Sequence, residues 1–259
     1  MPLLETRGLS KRYEVPGGTT VEALASVDVV IEQGDFVVIV GHNGSGKSTL
    51  VSILGGELGG WAGEVMLEGK AFGPGSERLA LLKQDPSLNV ALDLTVGENL
   101  CLADLGRKGR SRRPSPFRRF RGRAETAKEP GWGPDNALEP GQRVGTLSGG
   151  QRQLLAIRLA LLQDPKVLLL DEPTASLDQD NASAVVSMLE KTWKQGMTIM
   201  MVTHDLAMAR RLGNRLLVMR GGSIVGEYAG SERRDLTLEQ LYERCGFGIG
   251  TADAEERDS

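Results

Sequence analysis

The chain has 259 residues, of which 40% are hydrophobic and 25% charged, and its formal net charge is -3. That length suits one large domain or two intimate subdomains with a real core, and the balanced charge removes the global basic field expected of a general nucleic-acid binder. Two cysteines, Cys101 and Cys245, are too few for a disulfide framework. No apolar run approaches the roughly 20 residues that a membrane-spanning helix needs, and the first residues lack the basic-then-apolar order of a signal peptide.

In chain order, residues 3 to 85 read mostly as strands. Asp35 to Val40 is a short apolar run that ends at a glycine, as a buried strand feeding a loop does. A helix is predicted from Ser48 to Leu54, and Glu64 to Gly69 reads as a strand and turn. From 86 the character changes. Thr95 to Leu105 is an apolar helix candidate, and it is followed by a basic region in which nine of the seventeen residues from Arg107 to Arg123 are Lys or Arg. Helix and strand then alternate: Gln151 to Leu162 helix, Val167 to Leu170 buried strand, Asn181 to Gln195 helix, Thr198 to Val202 strand. Such alternation predicts a parallel sheet covered by helices. The acidic residues 251 to 259 read as a frayed tail.

Four stretches carry chemistry. Gly41-His42-Asn43-Gly44-Ser45-Gly46-Lys47-Ser48-Thr49 matches G-x-x-x-x-G-K-[ST] between a predicted strand and a predicted helix. Its glycines allow a tight turn whose amides converge on phosphate, and the helix that follows adds a positive dipole end. Lys47 is expected to bridge the β- and γ-phosphates, and Ser48 to ligate Mg²⁺. Asp171 ends an apolar strand and suits Mg²⁺, while Glu172, next to it on what reads as an extended strand end, is free to act as general base. Leu147-Ser148-Gly149-Gly150-Gln151 sets a capping serine and two glycines before a helix, which makes a second anion site. Two such sites with a single lysine suggest two copies of the chain sharing nucleotides. A phosphate cradle, a metal carboxylate and a base together describe a nucleotide hydrolase.

These stretches, with Gln84 in Lys83-Gln84-Asp85-Pro86, His204 in Thr203-His204-Asp205 and Tyr13 in Ser10-Lys11-Arg12-Tyr13, resemble the ATP-binding subunits of ABC transporters over residues 3 to 230. Leu147 to Gln151 matches that family's signature letter for letter, and Asp171 to Asp178 matches its second carboxylate motif and the loop after it. The resemblance implies an α/β P-loop NTPase of the ABC type: a mixed-sheet core, an antiparallel β subdomain and an inserted helical subdomain at about 86–162, all within one domain spanning 1–250. It implies ATP and Mg²⁺ as cofactors, with Gln84 sensing the metal and the γ-phosphate, His204 contacting the γ-phosphate, and Asp178 reaching across a dimer. Tyr13 would stack on adenine, although taken alone such a residue is more often a packed strand-end aromatic. The implied partners are a second copy in the ATP-bound state, transmembrane permease subunits and an extracytoplasmic substrate-binding protein, with no nucleic acid. The implied place is peripheral, on the cytoplasmic face of the membrane.

Gln84-Asp85-Pro86, Leu94 to Leu100, Gly213 to Leu216 and Leu236 to Leu241 look more narrowly like the ATPases of tryptophan/tyrosine-type uptake systems. Two stretches depart from the pattern. Gly59 to Gly63 lacks a turn proline common in the family, and Glu125 to Arg143 is rich in Gly and Pro where relatives have helix. A soluble relative acting on ribosomes or DNA would carry a second cassette or a long coiled coil, and this chain shows neither. A non-hydrolysing scaffold would not need Lys47, Asp171, Glu172 and His204 together. The Arg107 to Arg123 stretch reads either as a solvated charged loop or as a membrane-proximal basic patch.

Overall fold

The computed structural model of the chain describes residues 1–16, 18–72, 79–106 and 138–246. The basic stretch 107–123, the tail 251–259 and most of the Gly/Pro-rich segment 125–143 lie outside the described residues.

A six-stranded sheet organises the molecule, in the order β10 (Ser223–Ala229), β9 (Arg215–Arg220), β3 (Phe36–Val40), β8 (Thr198–Val202), β7 (Val167–Asp171), β6 (Leu79–Leu82). All neighbours are parallel except the edge pair β10–β9. β3 and β8 are buried at every residue. They therefore read as unbroken apolar runs and not as alternating ones, as strands covered on both faces must. The period of two still shows in how the residues divide. Phe36, Val38 and Val40 enter one core with Leu168, Leu170, Ile199 and Met201, whereas Val37 and Ile39 enter the opposite core with Val167, Leu169, Met200 and Val202.

The second core is closed by α1 (Lys47–Leu54) and by a four-stranded antiparallel sheet, β2 (Thr19–Ile31), β1 (Leu4–Val15), β4 (Ala62–Leu67), β5 (Lys70–Ala71). Leu50, Val51, Ile53 and Leu54 of α1 are fully buried there, and truncating such a leucine to alanine costs about 2–5 kcal/mol. This contact fixes the helix that begins at the lysine loop.

On the other face lie α3 (Gly149–Leu162), α4 (Gln179–Lys194), α5 (Leu206–Arg211) and α7 (Leu238–Cys245), with the short α6 (Gly230–Asp235) between β10 and α7. α3 serves two cores. Leu154, Ile157 and Ala160 pack toward the sheet, while Leu155 and Leu159 join Val96, Leu100, Ala103, Leu138, Val144 and Leu147 in a small third cluster with α2 (Val96–Gly106). Thr95 and Glu98 cap α2 reciprocally: the Thr95 amide donates to Glu98 Oε2 at 2.8 Å, and the Glu98 amide to Thr95 Oγ1 at 3.2 Å. The ends of the inserted segment are held together, since Val96 N donates to Gln142 O and Val144 N to Leu94 O, both at 2.9 Å.

The predicted helices and strands are all present. α3 starts two residues earlier than predicted, at Gly149, because Ser148 and Gln151 form a complete capping box and the two glycines become its first turn. β9, β10 and helices α5 to α7 were not individually predicted.

Candidate functional site

A parallel sheet presents the ends of several strands along one edge, where ligands bind. Here the register brings Ile39 of β3 level with Val202 of β8, Val202 level with Asp171 of β7, and Leu170 level with Leu82 of β6. The loop at Gly41, the Asp171–Glu172 pair, His204 and Gln84 therefore all leave the sheet at the same edge.

The loop from Gly41 to Gly46 is pinned on both sides. Gly222 N donates to Ser45 O at 3.1 Å, and a Cβ at Gly46 would stand 2.4 Å from Ala23 O of β2. Gly46 also has φ 99°, which side chains rarely tolerate, so glycine is required there twice over. Lys47 is 5% exposed, and its Nζ donates to Gly41 O (2.7 Å), His42 O (3.0 Å) and Ser45 Oγ (3.4 Å). Burial lowers the pKa of this amine, opposed by the negative charge of Glu172 and Asp171. A desolvated ammonium held only by loop oxygens suits a phosphate. His42 Nδ1 lies 2.5 Å from Asn43 O, so the ring is tied to the loop itself, while Asn43 and Gly44 are exposed at its tip and Thr49 continues α1.

The two neighbouring carboxylates have separate partners. Ser48 Oγ donates to Asp171 Oδ1 at 3.2 Å, whereas Glu172 Oε2 lies 3.1 Å from His204 Nδ1. The expectation that Glu172 sits on an extended strand end is corrected by its backbone. Its φ is 49°, left-handed, although its N still donates to Val202 O at 3.0 Å. A left-handed non-glycine residue costs on the order of 1–2 kcal/mol. That turn separates the two acids in this chain. Burial raises the pKa of Asp171, partly offset by the Ser48 hydroxyl. A desolvated carboxylate bonded to a hydroxyl fits a divalent cation.

Gln84 is exposed, two residues beyond Leu82 of β6, where the chain leaves the same edge. Tyr13 is 37% exposed on β1 with Lys11 Nζ 5.3 Å from its ring centre, and it pairs with Val21, close to the Ala23 that touches the loop.

Ser148 is already employed within its own helix. Its Oγ accepts from Gln151 N at 3.2 Å, and Gln151 Oε1 accepts from Ser148 N at 3.0 Å. Gly149 and Gly150 follow. A Cβ at Gly150 would stand 2.2 Å from Asn181 Cγ, so the start of α3 lies directly on the start of α4. Asp178 caps α4, accepting from Asn181 N (2.8 Å) and Asn181 Nδ2 (2.7 Å), and these bonds hold its pKa down. No hydrogen bond or ion pair among the described residues joins Ser148, Gly149, Gly150, Gln151 or Asp178 to the lysine loop.

Two contributors carry no motif of their own in the sequence. Asn181 links Asp178 to Gly150. Arg152 donates to Ser87 Oγ and to Gly145 O, each at 3.3 Å, and so ties α3 to the turn that follows Gln84. Their only sequence signal is adjacency to a motif.

A lysine loop between a buried strand and a helix, with a hydroxyl, two divergent carboxylates and a histidine on one sheet edge, defines a P-loop nucleotide hydrolase. Residues 24–175 match the family described as ABC transporter, and the chain belongs to that family. It is an ATP-binding, ATP-hydrolysing ABC transporter subunit. It is 33% identical to a tyrosine transport ATP-binding protein of Clostridioides difficile, over 95% of this chain and 100% of that one. It is 32% identical to a ribose import ATP-binding protein of Rubrobacter xylanophilus over 94% of this chain, spanning only 47% of that relative; a macrolide export ATP-binding/permease protein of Neisseria gonorrhoeae matches at 32% over 35% of its length. Among solved structures, a dimeric ATP-binding cassette in a post-hydrolysis state with ADP and Pi is similar with a TM-score of 0.71 and 26% identity, covering 87% of this chain and 98% of that one.

Proposed function

We propose that the chain works as a homodimer on the cytoplasmic face of a membrane, driving import of an aromatic amino acid through permease subunits served by an extracytoplasmic substrate-binding protein. The separate holding of Asp171 by Ser48 and of Glu172 by His204, beside the buried Lys47, carries the catalytic reading. Lys47 and the amides of residues 41 to 49 take the phosphates, and Tyr13 offers its ring to adenine. Ser48, Asp171 and Gln84 hold Mg²⁺. When bound, that ion neutralises charge on the β- and γ-phosphates. Glu172 accepts a proton from the attacking water, and His204 holds the Glu172 carboxylate and faces the γ-phosphate. Ser148 to Gln151 and Asp178 of one copy complete the site of the other.

The end-to-end similarity to a tyrosine transport ATPase supports the substrate class. The helical subdomain at about 86–162 is the proposed permease contact. It exposes Leu88 in the turn that follows Gln84, Leu92 shortly after it and Leu102 on α2, apolar side chains suited to a protein partner. No helix among the described residues is long and apolar enough to cross a membrane, so solute passage is assigned to other chains.

Two experiments test this. ATP hydrolysis by the purified protein is expected to require a divalent cation and to need much more of it in Asp171→Asn. An unchanged cation dependence would remove Asp171 from the metal site. In cells carrying the chain with its permease and binding protein, labelled tyrosine should accumulate with wild type and not with Glu172→Gln; loss of preloaded tyrosine instead would reverse the direction.

A further inference from the structure

Outside the site, a buried charge stands with no acid to answer it among the described residues. Arg233, on α6, is 8% exposed. Its Nη2 donates to Ala209 O at 2.9 Å and also to Leu212 O, while its Nε has no partner. Among the described residues no carboxylate pairs with it, and burial alone pulls its pKa down. A guanidinium kept in that state is costly, so its contacts have to be worth the cost.

Those contacts are specific. Ala209 lies in the last turn of α5, and Leu212 is its C-cap. The final carbonyls of a helix lack partners within it and form the negative end of its dipole, so a cation placed there locks the end of the helix. The other end of α5 begins at the site. Asp205 caps it, accepting from Met208 N at 2.8 Å, and Asp205 directly follows His204. α5 is six residues long, a rod of about 9 Å. Its middle is also anchored to the segment after Glu172, where Thr174 Oγ1 donates to Met208 Sδ at 3.8 Å. The α6–α7 pair that supplies Arg233 reaches the phosphate loop as well: a Cβ on Gly246, at the end of α7, would stand 3.7 Å from His42 Cδ2. The end of α7 therefore lies close to the loop, while α6 holds the rod that ends at His204.

We infer that Arg233 is a positioning residue for ATP hydrolysis: by holding the C-terminal carbonyls of α5 it sets where His204 stands against Glu172. This rests on the assignment of His204 to hydrolysis. A cap that served stability alone would lower the melting temperature and leave both His204 and the kinetics as they are.

The chain has two histidines, His42 and His204, so imidazole NMR signals can be assigned with one variant of each. In Arg233→Met, the His204 resonances move and those of His42 stay. The kcat for ATP falls on the order of tenfold, as for a sub-ångström to ångström misplacement of a catalytic group, and KM for ATP is unchanged. Arg233→Lys keeps the charge but not the rigid planar guanidinium whose Nη2 donates to both carbonyls, and it falls between wild type and Arg233→Met in both readouts. If Arg233→Met does not fold, Arg233→Lys carries the test alone. Unmoved His204 resonances with unchanged kcat, at whatever melting temperature, would overturn the inference, and so would a rise in KM without a fall in kcat. His204→Ala tests the underlying assignment separately. Full activity in that variant would remove His204 from hydrolysis, whatever Arg233 does to its position.

Discussion

The lysine loop and the Leu147–Gln151 stretch both place glycines at the start of a helix, and they differ in what surrounds them. The loop is a finished half-site. Its lysine is buried, its backbone is pinned between β2 and the turn after β9, and a hydroxyl–carboxylate pair and a carboxylate–histidine pair stand beside it. In the Leu147–Gln151 stretch the serine oxygen caps its own helix, Gly150 is filled from behind by Asn181, and among the described residues no ion pair joins Ser148, Gly149, Gly150 or Gln151 to a charged group. A site that is preorganised but has no chemistry of its own is what one half of a composite site looks like. On that difference rests our proposal that the second stretch completes a nucleotide site on another copy.

The largest expected effect breaks the first half of that comparison. Glu172→Gln keeps the shape and removes the proposed base, so turnover should fall about 10²- to 10⁴-fold while ATP binding persists. A rate near wild type in a steady-state phosphate-release assay would remove Glu172 from the role. Gly150→Ala attacks the other half. The added methyl meets the Asn181 side chain at 2.2 Å, and overpacking of that kind costs about 1–3 kcal/mol. Thermal melting should show the loss, and Asn181→Ala in the same chain should recover part of it. No loss would mean that the two helix starts are not in contact.

Asp171 sharpens the comparison through pH. Its folded pKa is raised by burial. The sign follows directly: its contribution to stability is fully present below the unfolded carboxylate pKa and is lost as pH rises through the folded value. At neutral pH the charged Asp171 therefore destabilises the nucleotide-free protein. Asp171→Asn should melt higher than wild type at pH 7, and the gain should shrink as pH falls into the ordinary carboxylate range. A lower melting temperature at pH 7 would contradict the burial reading. The smallest effect is at Tyr13. Being partly exposed, it should show a rise in KM for ATP of about 5-fold in Tyr13→Ala, the low end of the about 1–3 kcal/mol that one stacked ring is worth, and almost none in Tyr13→Phe. Equal defects in the two would point to the hydroxyl and not to the ring face.

Much of this was legible in the sequence because the site is built from contiguous strings at strand ends. The run Val37 to Val40 before Gly41, and Val167 to Leu170 before Asp171, each read as a buried strand that delivers a chemical group at its end, which places both groups on one sheet edge. Local backbone geometry was less legible. Nothing in Leu170-Asp171-Glu172-Pro173 announces that Glu172 turns left-handed, since that depends on the hydrogen bond its amide makes to Val202, thirty residues on. The early start of α3 was hidden by Gly149 and Gly150, poor helix formers that the Ser148–Gln151 box holds in place. The long-range supports were not legible at all. Arg233 is an ordinary surface-type residue until the fold brings α6 against α5, and Arg152 gains meaning only when Ser87 is seen opposite it.

The claim that the two stretches are halves of one site is tested most directly by mixing two disabled chains. Lys47→Ala removes the loop's amine, and Ser148→Arg blocks the second stretch. Each alone should be nearly inactive. Mixed in equal amounts they can form a dimer with one intact site, so ATPase activity should rise above either variant alone and depend on total protein concentration. Activity in the mixture no greater than the average of the two variants, with wild type hydrolysing ATP as a monomer by sedimentation, would contradict a site shared between chains.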